Sequence, residues 1–235
     1  AGRLTQLSQA GQVIDNLYNA RGERVFSRRT YSSGGITTSR RAEFFSYAED
    51  GRLMTYVDAT LRTDDSLGSR IVYNYIWLDN IPVAQFKEEY TGPGNHLPAR
   101  TQLVYLHADH LQTAQLGTGT STAVTPAVDD AVVWSLTSSA YGWAWESQDP
   151  DGDGDSVKMA LRFPGQIYYG MGTLNYNYYR TYDARIGRYL ESDPIGLALS
   201  NNPYTYAEQN PTRVFDRFGL DIKICLYDYH IVFGV

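Results

Sequence analysis

Two aspartates near the end of this 235-residue chain share one local frame. Asp193-Pro194-Ile195-Gly196-Leu197 and Asp216-Arg217-Phe218-Gly219-Leu220 each place a carboxylate ahead of two turn-forming residues and a Gly-Leu pair. Similar turns could bring two adjacent hairpin ends together. Two carboxylates within reach of one proton cannot both ionise, so one can act as base on water and the other as acid on a carbonyl, as in aspartic peptidases. The same residue type has a plainer use, because Asp before Pro or within a turn commonly caps its own backbone.

Other residues invite chemistry less strongly. Asp149, Asp151, Asp153 and Gly154 follow the opening of an EF-hand loop, but its twelfth position is Ala160 where a bidentate Glu is needed, so a solvated acidic turn is expected. His107, Asp109 and His110 have no evident further ligand beside them and read as polar turn residues. Cys225 is the single cysteine, which excludes an intrachain disulfide and a cysteine-based zinc cluster. With no base or second thiol beside it, it reads as a packed small hydrophobe. No metal or cofactor site is expected.

The elements that would position these groups are strands. Tyr occurs 20 times against 8 Phe and 4 Trp, and its half-wet ring suits a pleated surface. Gly punctuates the chain at short intervals and long helical runs are scarce, so the class is all-β. Tyr18-Asn19-Ala20-Arg21-Gly22 and Tyr47-Ala48-Glu49-Asp50-Gly51 repeat one pattern: a strand ending in Tyr, a tight turn whose Gly can take positive φ, and a returning strand. Recurring units of this kind imply stacked hairpins that share a core. Ile71 to Leu78 is apolar on both alternating faces and predicts a strand covered on both sides. Residues 115 to 130, rich in Gly, Thr, Ser and Ala, predict an exposed loop. Ala131 to Trp134 and Gly142 to Trp145 predict a strand pair. A net charge of -6 argues against electrostatic nucleic-acid binding through this region. No apolar run reaches the ~20 residues of a membrane helix. The opening Ala1-Gly2-Arg3-Leu4 has no signal-peptide pattern, and the chain reads as a piece of a longer protein.

Several segments, in order, carry a resemblance. Leu161-Arg162-Phe163-Pro164-Gly165-Gln166, Tyr178-Tyr179-Arg180-Thr181-Tyr182-Asp183, Gly187-Arg188-Tyr189, Ser192 to Leu197, Asn210-Pro211 and Asp216 to Leu220 resemble the Rhs-repeat-associated core. Tyr18 to Val25 and Tyr47 to Leu53 are similar to YD repeats, and His107 to Ala114 to the family's DHLGTP segment. The resemblance, to bacterial polymorphic toxins and the C components of Tc toxins, implies YD-repeat hairpins in a spiralling hollow shell closed by a core plug. It divides the chain into repeats (1–90), shell strands with variable loops (91–160), the core with an autocleavage site (161–220) and the start of a variable toxin segment (221–235).

The resemblance further implies that Asp193 and Asp216 are a catalytic pair, with Arg180 a third site residue, and that the chain cuts itself between Leu220 and Asp221. The activity would be a single-turnover aspartic-type self-cleavage releasing an encapsulated toxin. Its partners would be the chain's own C-terminal segment, a secretion-apparatus component and an immunity protein, in a bacterial protein exported to a target cell. The alternatives are a non-cleaving shell and an adhesion module like the YD shells of teneurins. Two departures stand out: Arg217 replaces the Pro usual after the second Asp, and Gln112 and Ala114 replace Gly and Pro in the DHLGTP-like segment. The first predicts a looser turn with a positive charge beside the carboxylate.

Overall fold

The computed structural model describes residues 3–122, 127–196, 202–220, 223–226 and 229–232, the last two stretches as backbone only. The chain is all-β. Its first eleven strands are β1 (Gln6–Gln9), β2 (Gln12–Tyr18), β3 (Arg24–Ser33), β4 (Ile36–Tyr47), β5 (Leu53–Leu61) and β6 (Leu67–Leu78), then β7 (Ile81–Tyr90), β8 (Arg100–Ala108), β9 (Ala114–Ser121), β10 (Val128–Ser138) and β11 (Ala144–Ser147). They are hydrogen-bonded in chain order, each antiparallel to the next. Two compact units divide the chain: Leu4–Trp77 with Ala84–Val104, and Ala1–Arg3 with Leu78–Val83 and Tyr105–Val235.

In the first unit, the repeated Tyr and Gly have separate jobs. Gly22 (φ 82) and Gly51 (φ 82) close matching turns, in which Gly22 N donates to Asn19 O (2.9 Å) and Gly51 N to Ala48 O (3.0 Å). A bulge follows in each, shifting the register at Tyr18 and at Tyr47. Left-handed backbone at the fourth position with an adjoining bulge favours glycine, which has no Cβ to clash. The aromatic at the strand end reaches back with its polar tip. Tyr18 OH donates to Leu4 O (2.8 Å), Tyr47 OH to Arg24 O (2.9 Å) and Trp77 Nε1 to Leu53 O (3.0 Å). A ring packs while its donor satisfies a carbonyl.

Phe45, Tyr56 and Tyr73 stack across three strands of the buried face, with centroids 5.3 and 5.5 Å apart. Arg29 and Glu43 enter that face as a pair. Arg29 Nη2 meets Glu43 Oε2 at 2.9 Å, and Glu43 Oε1 accepts from Tyr56 OH at 2.6 Å. A buried carboxylate supplied with both a cation and a hydroxyl donor avoids the desolvation cost of a lone charge. Replacing Tyr47 with Phe keeps the ring and removes one donor. It should lower the stability of the repeat region by ~1 kcal/mol, read as a lower urea midpoint at unchanged m.

Three sequence expectations are corrected. Ile71 to Leu78 is not covered on both sides, for Tyr73 and Tyr75 are buried while Ile76 and Leu78 are 48% and 63% exposed. Residues 114–121 are not loop but β9. Its small residues make room for a large one on the neighbouring strand: Gly117 pairs with Trp134, which is fully buried, and Gly119 pairs with Ala131. A composition that reads as a loop is here the complement of Trp134. The remainder of that expected loop includes 123–126, which lie outside the described residues. β10 and β11 do pair, but through Ser135–Ser138 and Ala144–Ser147, whereas Ala131, Val132 and Trp134 lie opposite β9.

The second unit continues with β12 (Ile167–Tyr168), β13 (Leu174–Asn177), β14 (Arg180–Asp183) and β15 (Arg188–Tyr189), a four-stranded sheet in chain order. A short 3-10 turn (Ala207–Gln209) leads to β16 (Val214–Phe215), which pairs with β17 (Lys223–Leu226) and then β18 (Tyr229–Val232). The core is aromatic. Tyr206 lies 4.4 Å from Tyr182, 5.7 Å from Tyr189 and 5.9 Å from Phe163, centroid to centroid, with Ala184, Ala207 and Val214 filling in.

Candidate functional site: an arginine between two aspartates

The β13–β14 hairpin delivers the first groups. Asn177 and Arg180 are opposite one another, joined by Tyr178-Tyr179, with Tyr178 held at φ 55. A bulky residue in left-handed backbone is strained and persists only where its surroundings fix it. Here Tyr178 packs edge-on to Phe218 (5.4 Å), Tyr179 N donates to Phe218 O (3.1 Å), and Arg3 Nη1 donates to Tyr178 O (2.8 Å). The strained turn is thus clamped to the loop that carries Asp216.

Arg180 spends all three guanidinium nitrogens. Nη2 is 3.0 Å from Asp193 Oδ2 and 3.0 Å from Asp216 Oδ2, so the two carboxylates share one nitrogen. Nε donates to Gly219 O at 2.6 Å, and Nη1 to Pro203 O at 3.1 Å. Its carbon lies 3.6 Å from the centre of the Tyr189 ring. A planar fork of fixed donors is what lets one side chain hold four groups at once.

The second carboxylate also grips the chain beyond it. Asp216 Oδ1 accepts from Leu220 N (3.0 Å), and Gly219 at φ 71 makes the turn possible. A Cβ on Gly219 would stand 2.7 Å from Asn177 O. The Gly219–Leu220 peptide is therefore held at both ends, by Asp216 at the Leu220 nitrogen and by Arg180 at the Gly219 carbonyl. Asp193 is bound more lightly. Oδ1 accepts from Ile195 N (2.9 Å) in an Asx-turn, and its side chain is 15% exposed against 4% for Asp216.

Both readings of Asp193 are thus present, turn cap through one oxygen and ion pair through the other. Asp221 and Leu197 lie outside the described residues. Arg217 turns to Asn80, donating from Nη1 to Oδ1 at 2.8 Å, and the 216–220 turn is held without Pro by the bonds from Leu220, Tyr179 and Arg180.

Two further residues join the centre: Asn177, and Tyr189 of the Gly187-Arg188-Tyr189 segment, to which the sequence assigns no site role. Tyr189 OH donates to Asp216 Oδ2 (2.9 Å), and Asn177 Nδ2 donates to Tyr189 Oη (2.6 Å) and to Asp216 O (2.9 Å). Burial first, and Asp216 next, push the Tyr189 phenol well above its ordinary range, so it remains a donor.

The remaining candidates disperse. His107 Nε2 faces Thr118 Oγ1 (3.0 Å) and His110 Nε2 faces Thr212 O (2.8 Å). Asp109 closes its turn through Leu111 N and Thr113 N (2.9 Å each). Gln112 occupies the left-handed position of that turn (φ 68), a conformation that favours glycine. The oxygens of Asp149, Asp151 and Asp153 lie within 4.8 Å of one another. Those of Asp149 accept from Asp153 N and Gly154 N, and Asp153 Oδ2 accepts from Thr122. The side chain of Cys225 lies outside the described residues.

No family model matches the chain. It is 44% identical over 64 residues to the toxin protein Tse5 of Pseudomonas aeruginosa, and 42% identical over 71 residues to the double-stranded DNA deaminase toxin A of Burkholderia cenocepacia. These stretches are 27% and 30% of this chain but 5% of each toxin. It is also 34% identical to YibJ of Escherichia coli over 134 residues, covering 56% of this chain and 50% of that protein. In fold it matches the solved TcdB2-TccC3 complexes. The form lacking the hypervariable C-terminal region superposes with a TM-score of 0.68 at 17% identity, over 89% of this chain and 9% of that one. Another form gives 0.57 at 20% identity, over 90% and 10%. The chain thus spans a small part of these toxins and of the solved complex. Among the described residues, no helix is long and apolar enough to cross a membrane. The chain is thus similar over short stretches to these bacterial toxins, and it shares its fold with part of the Tc-toxin complexes.

Proposed function

We propose that this chain is the closing part of a shell around a toxin segment, and that it cuts its own backbone between Leu220 and Asp221. The observation that carries the reading is the shared nitrogen of Arg180, which joins Asp193 to Asp216 while the same side chain holds Gly219 O and Asp216 holds Leu220 N. The reaction is hydrolysis. One carboxylate takes a proton from water as the oxygen bonds to the Leu220 carbonyl carbon, and the other gives its proton as the C–N bond breaks. Leu220 then ends in a carboxylate and the released segment begins with an amine. Tethering supplies a large effective concentration, so modest chemical assistance suffices for one turnover. The proposed domain limits follow, with the core over 161–220 and the released segment from 221. Export from a bacterium, with a secretion component and an immunity protein as partners, belongs to the same proposal.

A second reading has its own support. Asp193 is satisfied by the Ile195 N–H and by Arg180, an arrangement that is also a good structural latch. In that reading the shell encloses or displays without cutting.

Intact mass of the full-length protein decides. Two fragments meeting at Leu220 are expected for the wild type, and one uncut chain for Asp193→Asn and for Asp216→Asn. An uncut wild type leaves the latch.

A further inference from the structure

We propose that Tyr189, backed by Asn177, is a positioning residue that holds Asp216 in its ionised form as the base of the aspartate pair. The inference rests on the self-cleavage reading. It starts from unequal donor supply. Asp216 Oδ2 receives both Arg180 Nη2 (3.0 Å) and Tyr189 OH (2.9 Å), and Oδ1 receives Leu220 N (3.0 Å). Asp193 receives the same Nη2 on one oxygen and Ile195 N on the other, and its side chain reaches solvent. Donors to a carboxylate favour its charged form, so the better supplied partner holds the charge.

Tyr189 is built for this role. It is 2% exposed, fixed by the guanidinium against its face and by Tyr182 and Tyr206 at its edges (5.8 and 5.7 Å). Its oxygen accepts from Asn177 Nδ2, which leaves the hydroxyl proton directed to Asp216. A chain of hydrogen bonds in a buried site polarises each member, so Asn177 strengthens the phenol as a donor. Among the described residues, the titratable groups around Asp216 include Arg180 from β14, Tyr189 from β15, Tyr206 ahead of the 3-10 turn and, across Arg180, Asp193. Of the two phenols, Tyr189 has its hydroxyl on the carboxylate. In the cut, Asp216 is then the carboxylate that takes the proton from water.

The test is the pH profile of cleavage. Full-length protein kept uncut in urea is diluted into buffers from acid to neutral, and the cut fraction is followed by intact mass. The base works only when ionised, so the rate falls on the acid side at its pKa. Losing a donor raises that pKa. Tyr189→Phe should therefore move the acid limb upward by about one pH unit, with cleavage at high pH retained. Tyr182→Phe, which removes a buried hydroxyl of the same aromatic cluster bonded instead to Tyr141 O, should leave the limb in place. Fluorination of the Tyr189 ring beside the hydroxyl makes the phenol a stronger donor and should move the limb downward.

An unmoved limb in Tyr189→Phe overturns the proposal, even if the rate drops. Should that variant fail to fold, the fluorinated tyrosine decides alone, and no downward shift overturns it. A wild type that stays whole at every pH sinks the self-cleavage reading and this inference together. A cut wild type with an insensitive limb sinks only the role of Tyr189.

Discussion

Arg180→Gln is expected to leave the full-length protein in one piece, with cleavage slowed by about 100-fold or more. Glutamine can reach one of the guanidinium's partners but not all four. The two carboxylates would lose their common cation, and each would become harder to ionise beside the other. The carbonyl of Gly219 would lose its 2.6 Å bond, so the peptide approaching Leu220 would no longer be set against Asp216. Stability should fall as well. Arg180 and Asp216 are both nearly sealed from solvent, and breaking a buried pair costs ~3–5 kcal/mol because the remaining charge is stranded.

The two losses separate with pH. Ionised aspartates are what suffer without the arginine, so protonating them removes much of the stability difference between variant and wild type. Cleavage does not return, because the base is then neutral. Urea unfolding and intact mass, each at neutral and acid pH, check both. A variant as stable as wild type at neutral pH would mean that the pair is not buried as described. A variant that still cuts would remove Arg180 from the site. Arg180→Lys should resemble the glutamine variant in cleavage, since a point charge cannot hold the fan of acceptors.

Gly165→Ala should be nearly as damaging, through backbone rather than charge. Phe163-Pro164-Gly165-Gln166 forms a turn closed by Gln166 N on Phe163 O (2.7 Å), with Gly165 at φ 84. Pro sets the first corner and Gly the left-handed second, as a type II turn requires. The turn lies against the chain that carries Asp216. A Cβ on Gly165 would stand 1.8 Å from Arg217 O and 2.6 Å from Arg217 C, and backbone has nowhere to yield. We expect a loss of ~3–5 kcal/mol, from strain and overlap together, with cleavage lost because Arg217 cannot move without Asp216. Gly94→Ala is the control. It also has positive φ (73) but open space around it, so it should cost only about 1 kcal/mol. Equal urea midpoints for the two variants would show that the Gly165 turn does not press on Arg217.

The legible parts of the fold were those where one residue type has one physical use. Gly22 and Gly51 could be read because tight turns with positive φ favour glycine, and Tyr18 and Tyr47 because they recur at a fixed place before them. β9 was misread because its glycines serve Trp134 on the next strand, and no local rule connects Gly117 to a ring so far along the chain. Ile71–Leu78 was misread because the apolar residues on its second face give no sign of whether anything covers them. In the candidate site, Asp193, Asp216 and Arg180 are candidates through the order of neighbouring motifs, not through their spacing. The sequence assigns no site role to Asn177 or Tyr189, for opposite reasons. Asn177 precedes a hairpin turn, where Asn is ordinary, and Tyr189 is one of 20 tyrosines. Only the meeting of β13, β14 and β15 with the 216–220 turn gives them a part.

The reach of Tyr18, Tyr47 and Trp77 to Leu4, Arg24 and Leu53 bears on how such a chain can lengthen over generations. Each donor asks only for a carbonyl supplied earlier in the chain, and it asks nothing of that residue's side chain. A duplicated hairpin therefore brings its own fastening and finds a ready seat, whatever sequence lies beneath it. Recombination between repeats can add or remove whole hairpins without breaking a specific pair, while a break inside one leaves an aromatic without its seat. Diversification of these sequences should accordingly run fast at side chains facing outward and in steps of complete hairpins, with the strand-end aromatic as the last residue to drift.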